Sequence, residues 1–311
     1  MVGWLNVDKP PRLTSRDVVN QAQRLIRPLK VVQAGTLDPM ATGVLLVCVG
    51  QATRLNPFIE QLPKTYQATF QLGRWSETED ADGKVVELSH PPRPTPAQLK
   101  EVLSRFHGEM MQRPPAFSAL KVKGGQAYSR ARRGEHVSLE PRPVNIHELE
   151  LVHYRYPELI LQPTRGWGTY VRSLRHVAEA LESAAVMPSL RHTAIDPFRV
   201  DQAVDLHDLS AQSIKGQLLP PRLAVEHVPW IEVSVGEAER CEKQPGRGSA
   251  GGLSQRAGTD FAIPEKRRKA VDIGADEPRG TGYWYEELPL LRARATAPGG
   301  TSRRGSRMRA L

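Results

Sequence analysis

Apolar and polar residues follow two different periods along the chain, and the switches between them mark a mixed set of elements. Trp4-Leu5-Asn6-Val7 reads as a short strand entering a proline turn at Pro10. Thr14-Ser15 then stands as a cap before Val18, Val19, Ala22, Leu25 and Ile26, which recur at helical spacing until Pro28 stops the run. From Lys30 a turn-rich loop leads into Gly43-Val44-Leu45-Leu46-Val47-Cys48-Val49-Gly50, an apolar run that predicts a strand buried on both faces. Between Lys64 and Leu72, Tyr66, Ala68, Phe70 and Leu72 alternate with Thr65, Gln67, Thr69 and Gln71, the period of a half-buried strand that Gly73 ends.

Further along, Thr95 caps a helix reaching about Phe106, and strand-like stretches recur at Val144–Leu151 and Leu159–Pro163. Tyr170 to Leu181 reads as a helix with Val171, Leu174, Ala178 and Leu181 on one face. The elements do not alternate as regular βαβ units, so the expected class is α+β.

Composition narrows the partners. The chain has 311 residues, 39% of them apolar, enough for two domains and at least one real core. Lys plus Arg number 43 against 34 for Asp plus Glu, a net charge of +9 with an isoelectric point near 9.7. That balance favours a polyanionic partner, although many basic proteins bind no nucleic acid. Cys48 and Cys241 are too few for a disulfide framework or a zinc site and fit a reducing cytoplasm. The N-terminus lacks the pattern of a secretory signal, and no apolar stretch reaches the roughly 18 residues needed to span a bilayer. The acidic segment Glu77–Gly83 reads as turn chemistry; it lacks the terminal bidentate glutamate of a calcium loop, so no metal is expected there. Residues 241–311 change character, with 14 Lys plus Arg against 8 Asp plus Glu and 11 of the 25 glycines. Beyond Trp230–Val235 they carry no visible strand alternation, and a disordered RNA-attracted extension and a partnerless low-complexity tail both fit.

The stretch Gly35-Thr36-Leu37-Asp38-Pro39-Met40-Ala41-Thr42-Gly43 sets a carboxylate between glycines and a proline immediately before the buried strand, so Asp38 is presented rigidly. Four other segments accompany it in order: Asp8-Lys9-Pro10 with Thr14-Ser15; Lys64-Thr65-Tyr66; Pro114 through Lys121; and Gly168-Thr169-Tyr170-Val171-Arg172-Ser173-Leu174. With these motifs the chain resembles the bacterial tRNA pseudouridine-55 synthases of the TruB type, from Gly3 to roughly Phe198. The resemblance implies a mainly antiparallel mixed sheet with flanking helices and a thumb-like insertion at about 112–140. It divides the chain into a catalytic domain at 1–210, an extension at 211–240 and a Gly/Arg-rich tail at 241–311, where an accessory RNA-binding domain is divergent or missing.

The implied activity is isomerisation of a uridine at position 55, in the T arm of tRNA, by base flipping and rejoining through C5, in the cytoplasm, as a monomer, without metal or cofactor. By resemblance, Asp38 is the catalytic carboxylate, attacking either the sugar C1′ or the uracil ring, and Arg172 pairs with it. Tyr66 stacks on the flipped base and takes part in proton transfer at C5, while Tyr170 and Leu190 line the pocket. Lys9, Lys64, Lys121, Lys123, Arg130, Arg132, Arg133, Arg165 and Arg175 are expected to grip phosphates, which makes binding salt-sensitive. Two departures stand out. Gln33 occupies the place of a family histidine that wedges into the RNA, and it stacks less well; Trp167 stands where a lysine is common. A tRNA-folding chaperone that needs no catalysis, and the catalytic subunit of a guide-RNA pseudouridylation complex, are the competing functions.

Overall fold

The computed structural model describes residues 1–118, 120–122 and 125–226, plus short strands within 232–310. Its frame is one mixed sheet. The strands in chain order are β1 (Gly3–Lys9), β2 (Val31–Ala34), β3 (Thr42–Val49), β4 (Lys64–Leu72), the ribbon β5 (Arg74–Trp75) with β6 (Val86–Glu87), β7 (Gly108–Gln112), the ribbon β8 (Lys121–Val122) with β9 (Gly125–Gln126), β10 (Arg142–Arg155), β11 (Glu158–Arg165), β12 (Ala185–Ile195), β13 (Phe198–Arg199) and β14 (Val204–Asp205). The sheet runs β14-β1-β3-β12-β4-β11-β10-β7, with β2 on β3 and β13 on β12. All pairings in it are antiparallel except β1 with β14 and β12 with β3.

The apolar run of β3 is buried on both faces, as its sequence predicts. Leu45, Val47 and Val49 face a core shared with helix α1 (Ser15–Leu25), whereas Val44, Leu46 and Cys48 face Leu55, Ile59 and Phe198 on the other side. Thr14 and Asp17 form a reciprocal capping box on α1, an arrangement that stabilises a helix start by about 1 kcal/mol. Helix α2 (Asn56–Gln61) packs on the second face, and a helix α3 (Pro96–Ser104), capped by Thr95 and Gln98, on the first. The insertion between β7 and β10 carries the β8–β9 ribbon and helix α4 (Ala127–Ala131). Residues 170–181 form a 3-10 turn at Val171–Arg175 followed by helix α5 (His176–Glu179). Both are shorter than the single helix the apolar spacing predicts.

Of the strands of four or more residues in this sheet, three lay outside the sequence reading. β2, with four residues, is too short to show a period and sat within the expected loop, and β7 has only five. β12 is a central strand despite Pro188. Its ladder with β4 slips between Val186 and Ser189, and this bulge accommodates a residue with no N–H to give. Five further strands, β15 (Glu232–Ser234), β16 (Val271–Ile273), β17 (Gly282–Trp284), β18 (Leu291–Arg292) and β19 (Arg307–Ala310), pair antiparallel in the order β15-β19-β18-β17-β16. The remainder of the 241–311 tail, with Cys241, lies outside the described residues. Among the described residues no helix is long and apolar enough to cross a membrane.

Candidate active site

The edge of β3 that faces away from β1 is shared between two partners. β2 pairs with Leu46–Val49, and β12 touches only Thr42 and Gly43. The loop 35–41 emerges at this fork. Gly35 turns it with φ +92°, a region that side-chain-bearing residues avoid. Gly43 has φ +98°, and a Cβ there would lie 2.1 Å from the His192 carbonyl oxygen, so glycine is what lets β3 and β12 meet. The loop is anchored from beneath: Leu37 is buried, its N–H donates to Ser15 Oγ at 2.9 Å, and Lys9 Nζ donates to Pro39 O at 3.1 Å.

Asp38 is thereby held at the floor of the fork with 39% of its side chain open to the cleft. Arg172, 5% exposed, places Nε 3.1 Å from Asp38 Oδ2 and Nη1 3.1 Å from Asp80 Oδ2. Its remaining N–H groups reach Thr78 O at 3.1 Å and Phe117 O at 2.9 Å. The guanidinium is braced by two carboxylates and two carbonyls, so its position is fixed. Burial in the cleft floor pushes the Asp38 carboxyl above the ordinary carboxylate range; Arg172 is the strongest opposing pull, while Asp80 and Asp82 add to the rise and Lys9 opposes it.

Asp80 was read in the sequence as turn chemistry. Its segment is docked by the bulge in β12, where Met187 N–H donates to Glu79 O at 3.2 Å and Ala81 N–H to Met187 O at 3.3 Å. The acidic turn is therefore part of the site's bracing. Among the described residues no group of three or more carboxylate, histidine or cysteine side chains gathers as a metal cage.

Tyr66 forms the opposite wall. It lies directly across the ladder from His192, and the two rings stack with centroids 4.3 Å apart and planes 9° from parallel. Arg165 lies 4.9 Å over the same ring and donates from Nη2 to the phenol oxygen at 2.7 Å. Burial raises the Tyr66 phenol above its ordinary range, with Arg165 pulling against it. His192 Nδ1 donates to Val44 O at 2.6 Å, because a carbonyl oxygen can only accept, and burial, with repulsion from Arg165, lowers the ring's pKa to about 3. The imidazole is neutral, with its one proton on Nδ1. Sequence patterning missed His192 because β12 was missed.

Two cavities meet at the Asp38–Arg172 pair. The smaller, about 300 Å³, is lined by Tyr66, Tyr170, Leu190, His192 and Arg165. The larger, about 510 Å³, is lined by Gln33, Arg16, Phe117, Tyr128 and Arg132. Both volumes suit an organic ligand or a nucleotide. Asp38, Arg172, Tyr66, Tyr170 and Leu190 thus converge on one cleft.

The expected cationic grip is only partly placed there. Lys9 and Lys64 are buried and occupied: Lys9 Nζ bonds Pro10 O and Pro39 O, and Lys64 Nζ bonds the carbonyls of Ile59, Glu60 and Leu62. Burial lowers each to about 8. This corrects the view of them as exposed phosphate contacts; they fasten the loop and the start of β4. Arg130 and Arg133 both pair with Glu135, and Arg175 with Glu79 and Glu179. Arg132 is exposed beside Tyr128 and does face the larger cavity. Gln33 Nε2 donates to Thr36 Oγ1 at 3.2 Å at that cavity's edge. The side chain of Lys121, and Lys123, lie outside the described residues.

Comparison with known proteins identifies this arrangement. Residues 23–171 match the family described as TruB family pseudouridylate synthase (N terminal domain). A tRNA pseudouridine synthase B of Synechococcus sp. (strain CC9311) is 39% identical over 254 residues, covering 79% of this chain and 84% of the relative. One from Rhodopirellula baltica (strain DSM 10527 / NCIMB 13988 / SH1) is 42% identical over 248 residues, covering 75% and 71%. Among solved structures, a chain of a Cbf5–Nop10–Gar1 complex superposes with TM-score 0.58 at 28% identity, covering 73% of this chain and 62% of its own length. The mixed sheet is that of a pseudouridine synthase. Within that class, the chain belongs to the TruB family.

Proposed function

We propose that this chain converts a uridine in the T arm of tRNA, at position 55, to pseudouridine, with Asp38 as the catalytic carboxylate. The observation that carries this reading is the junction at Asp38: one carboxylate on a braced loop, paired with a buried guanidinium, opening on a cavity walled by Tyr66, Tyr170 and Leu190. The target base is everted into that cavity, which costs a few kcal/mol of stacking that wall contacts and phosphate contacts must offset. Asp38 acts ionised, either at C1′ or on the uracil ring, as the C1′–N1 bond breaks. The freed base turns, C1′ bonds to C5, the C5 proton leaves and N1 gains one. The balance is redox-neutral and calls for no cofactor.

Tyr66 is the stacking wall. Because its phenol is held un-ionised and already accepts from Arg165, it serves proton transfer at C5 as a relay and not as a preformed phenolate. Arg172 orients Asp38 and keeps its charged form within reach. Residues 1–210 are read as the catalytic domain, 112–140 as the insertion that closes on RNA, 211–240 as its extension and 241–311 as a divergent tail. The enzyme is placed in the cytoplasm as a monomer, which light scattering tests against 34.6 kDa.

Relatives named tRNA pseudouridine synthase B, at about 40% identity, favour a stand-alone tRNA enzyme over a guide-RNA-dependent subunit. Asp38→Asn separates catalysis from chaperoning. The variant is expected to bind T-arm RNA like the parent and to form no pseudouridine. If the parent itself leaves the RNA unchanged at low salt and with enzyme in excess, the assignment is wrong.

A further inference from the structure

Trp167 is 66% exposed, yet its side chain lines the mouth of the smaller cavity together with Arg142, Arg165 and Tyr170. An indole left in water there contributes little to the core, so folding alone gives no reason for it. The turn that carries it is held on both sides. Gly166 N–H donates to Asn145 O at 2.8 Å, Arg165 Nη1 to Gly166 O at 3.1 Å and Thr169 Oγ1 to Gly166 O at 3.3 Å. Arg142 Nη2 donates to Gly168 O. An aromatic side chain is thus presented from a backbone with little freedom to move.

The surrounding wall repeats one motif. Arg165 lies over Tyr66, and Arg142 lies 5.3 Å over Tyr170. Guanidinium groups and aromatic faces interleave from the cavity floor to its rim, and Trp167 ends the series with its ring open to solvent. That is the surface composition that holds unpaired nucleic acid: cations for the backbone, rings for the bases.

We infer that Trp167 is a stacking platform for one unpaired nucleobase of the RNA next to the everted uridine. The inference rests on the RNA-modifying reading above. Every base has a π face, so the platform adds affinity without selecting sequence. A stacking contact neutralises no phosphate, so its contribution is independent of salt.

The test uses the full chain and a T-arm stem-loop RNA, with dissociation constants measured at low and moderate salt and the single-turnover rate measured at saturating enzyme. Trp167→Ala is expected to weaken binding roughly ten-fold, the loss of one stacked base. The slope of affinity against salt should stay as in the parent, and any fall in the saturated rate should be smaller than the fall in affinity. Trp167→Phe should keep most of the affinity, and Trp167→Lys should regain it only at low salt, with a steeper slope. A series of RNAs, each abasic at one loop nucleotide, locates the contact: at one position the parent should bind as weakly as Trp167→Ala binds intact RNA, and the two changes together should cost no more than either alone. Parent-like binding by Trp167→Ala, or losses that add at every loop position, overturns the platform. Trp167→Lys runs the same cycle should the alanine variant not fold. A parent that binds the RNA but forms no pseudouridine defeats the enzymatic reading, while the abasic series still decides the platform.

Discussion

Replacing Asp80 by asparagine tests how the site holds its arginine. Asp80 and Arg172 are 7% and 5% exposed and 3.1 Å apart, so the pair is screened little by water. The asparagine can still accept from Thr78 Oγ1 and Asp82 N–H, the other partners of this side chain, at 2.6 and 3.1 Å, so the turn should persist. What is lost is a charge, together with the oxygen that accepts from Arg172 Nη1. Removing one partner of a buried ion pair costs about 3–5 kcal/mol when the other is left uncompensated. Arg172 keeps Asp38, Thr78 O and Phe117 O, which reduces the expected loss to about 2 kcal/mol, or about 30-fold if it falls wholly on the transition state. A second signature has its own sign. Asp38 is held above the ordinary carboxylate range by burial first, with Asp80 and Asp82 adding to it. Without the Asp80 charge, and with Arg172 freed toward Asp38, the acidic limb of the rate profile should move to lower pH while the plateau falls. Single-turnover release of tritium from C5 of a labelled uridine, followed across pH, reads both. A plateau within about two-fold of the parent and an unmoved limb would refute the bracing role.

Three further outcomes follow from the same geometry. Gly43→Ala forces a Cβ to within 2.1 Å of the His192 carbonyl at φ +98°, so it should cost at least about 2 kcal/mol, read as a lower melting temperature, and loosen the β3–β12 contact beneath the cleft. Tyr66→Phe keeps the ring's stack on His192 and removes only the phenol oxygen; denaturant unfolding should change by about 1 kcal/mol, whereas single-turnover isomerisation should drop well beyond that if the phenol relays the C5 proton. His192 is neutral when folded down to about pH 3 but takes up a proton near pH 6.5 once unfolded, so stability falls as pH drops through that window. In His192→Phe, urea midpoints at pH 7 and pH 5 should lie closer together than in the parent.

Much of this was legible in the chain, and the parts that were not have physical causes. β3 and β4 announce themselves because one is apolar throughout and the other alternates, and Asp38 is conspicuous between its glycines and proline. β12 stayed hidden because Pro188 breaks its pattern, and with it went His192 and the dock for Asp80. The exposed outer half of β10 carries no burial period, so only Val144–Leu151 of Arg142–Arg155 could be seen. The two buried lysines were readable by parity. Lys64 shares the inward face of β4 with Tyr66 and Ala68, and Lys9 shares that of β1 with Leu5 and Val7. A lysine on an inward parity must spend its ammonium on backbone carbonyls, and both do.

The charge balance at Asp38 is therefore set by parts of the chain far from it in sequence. Its loop is tied to β1 and α1 through Lys9 and Ser15, its arginine comes from the turn after β11, and the second carboxylate on that arginine is docked by a bulge in β12. Arg172 also bonds Phe117 O, at the root of the insertion beside the larger cavity. None of these fixtures depends on a neighbour in sequence, so the carboxylate's position and charge are properties of the folded sheet rather than of the nonapeptide that displays it. The same pair at which the two cavities meet also ties the insertion to the catalytic loop, because the guanidinium that holds Asp38 is bonded to Phe117 O as well.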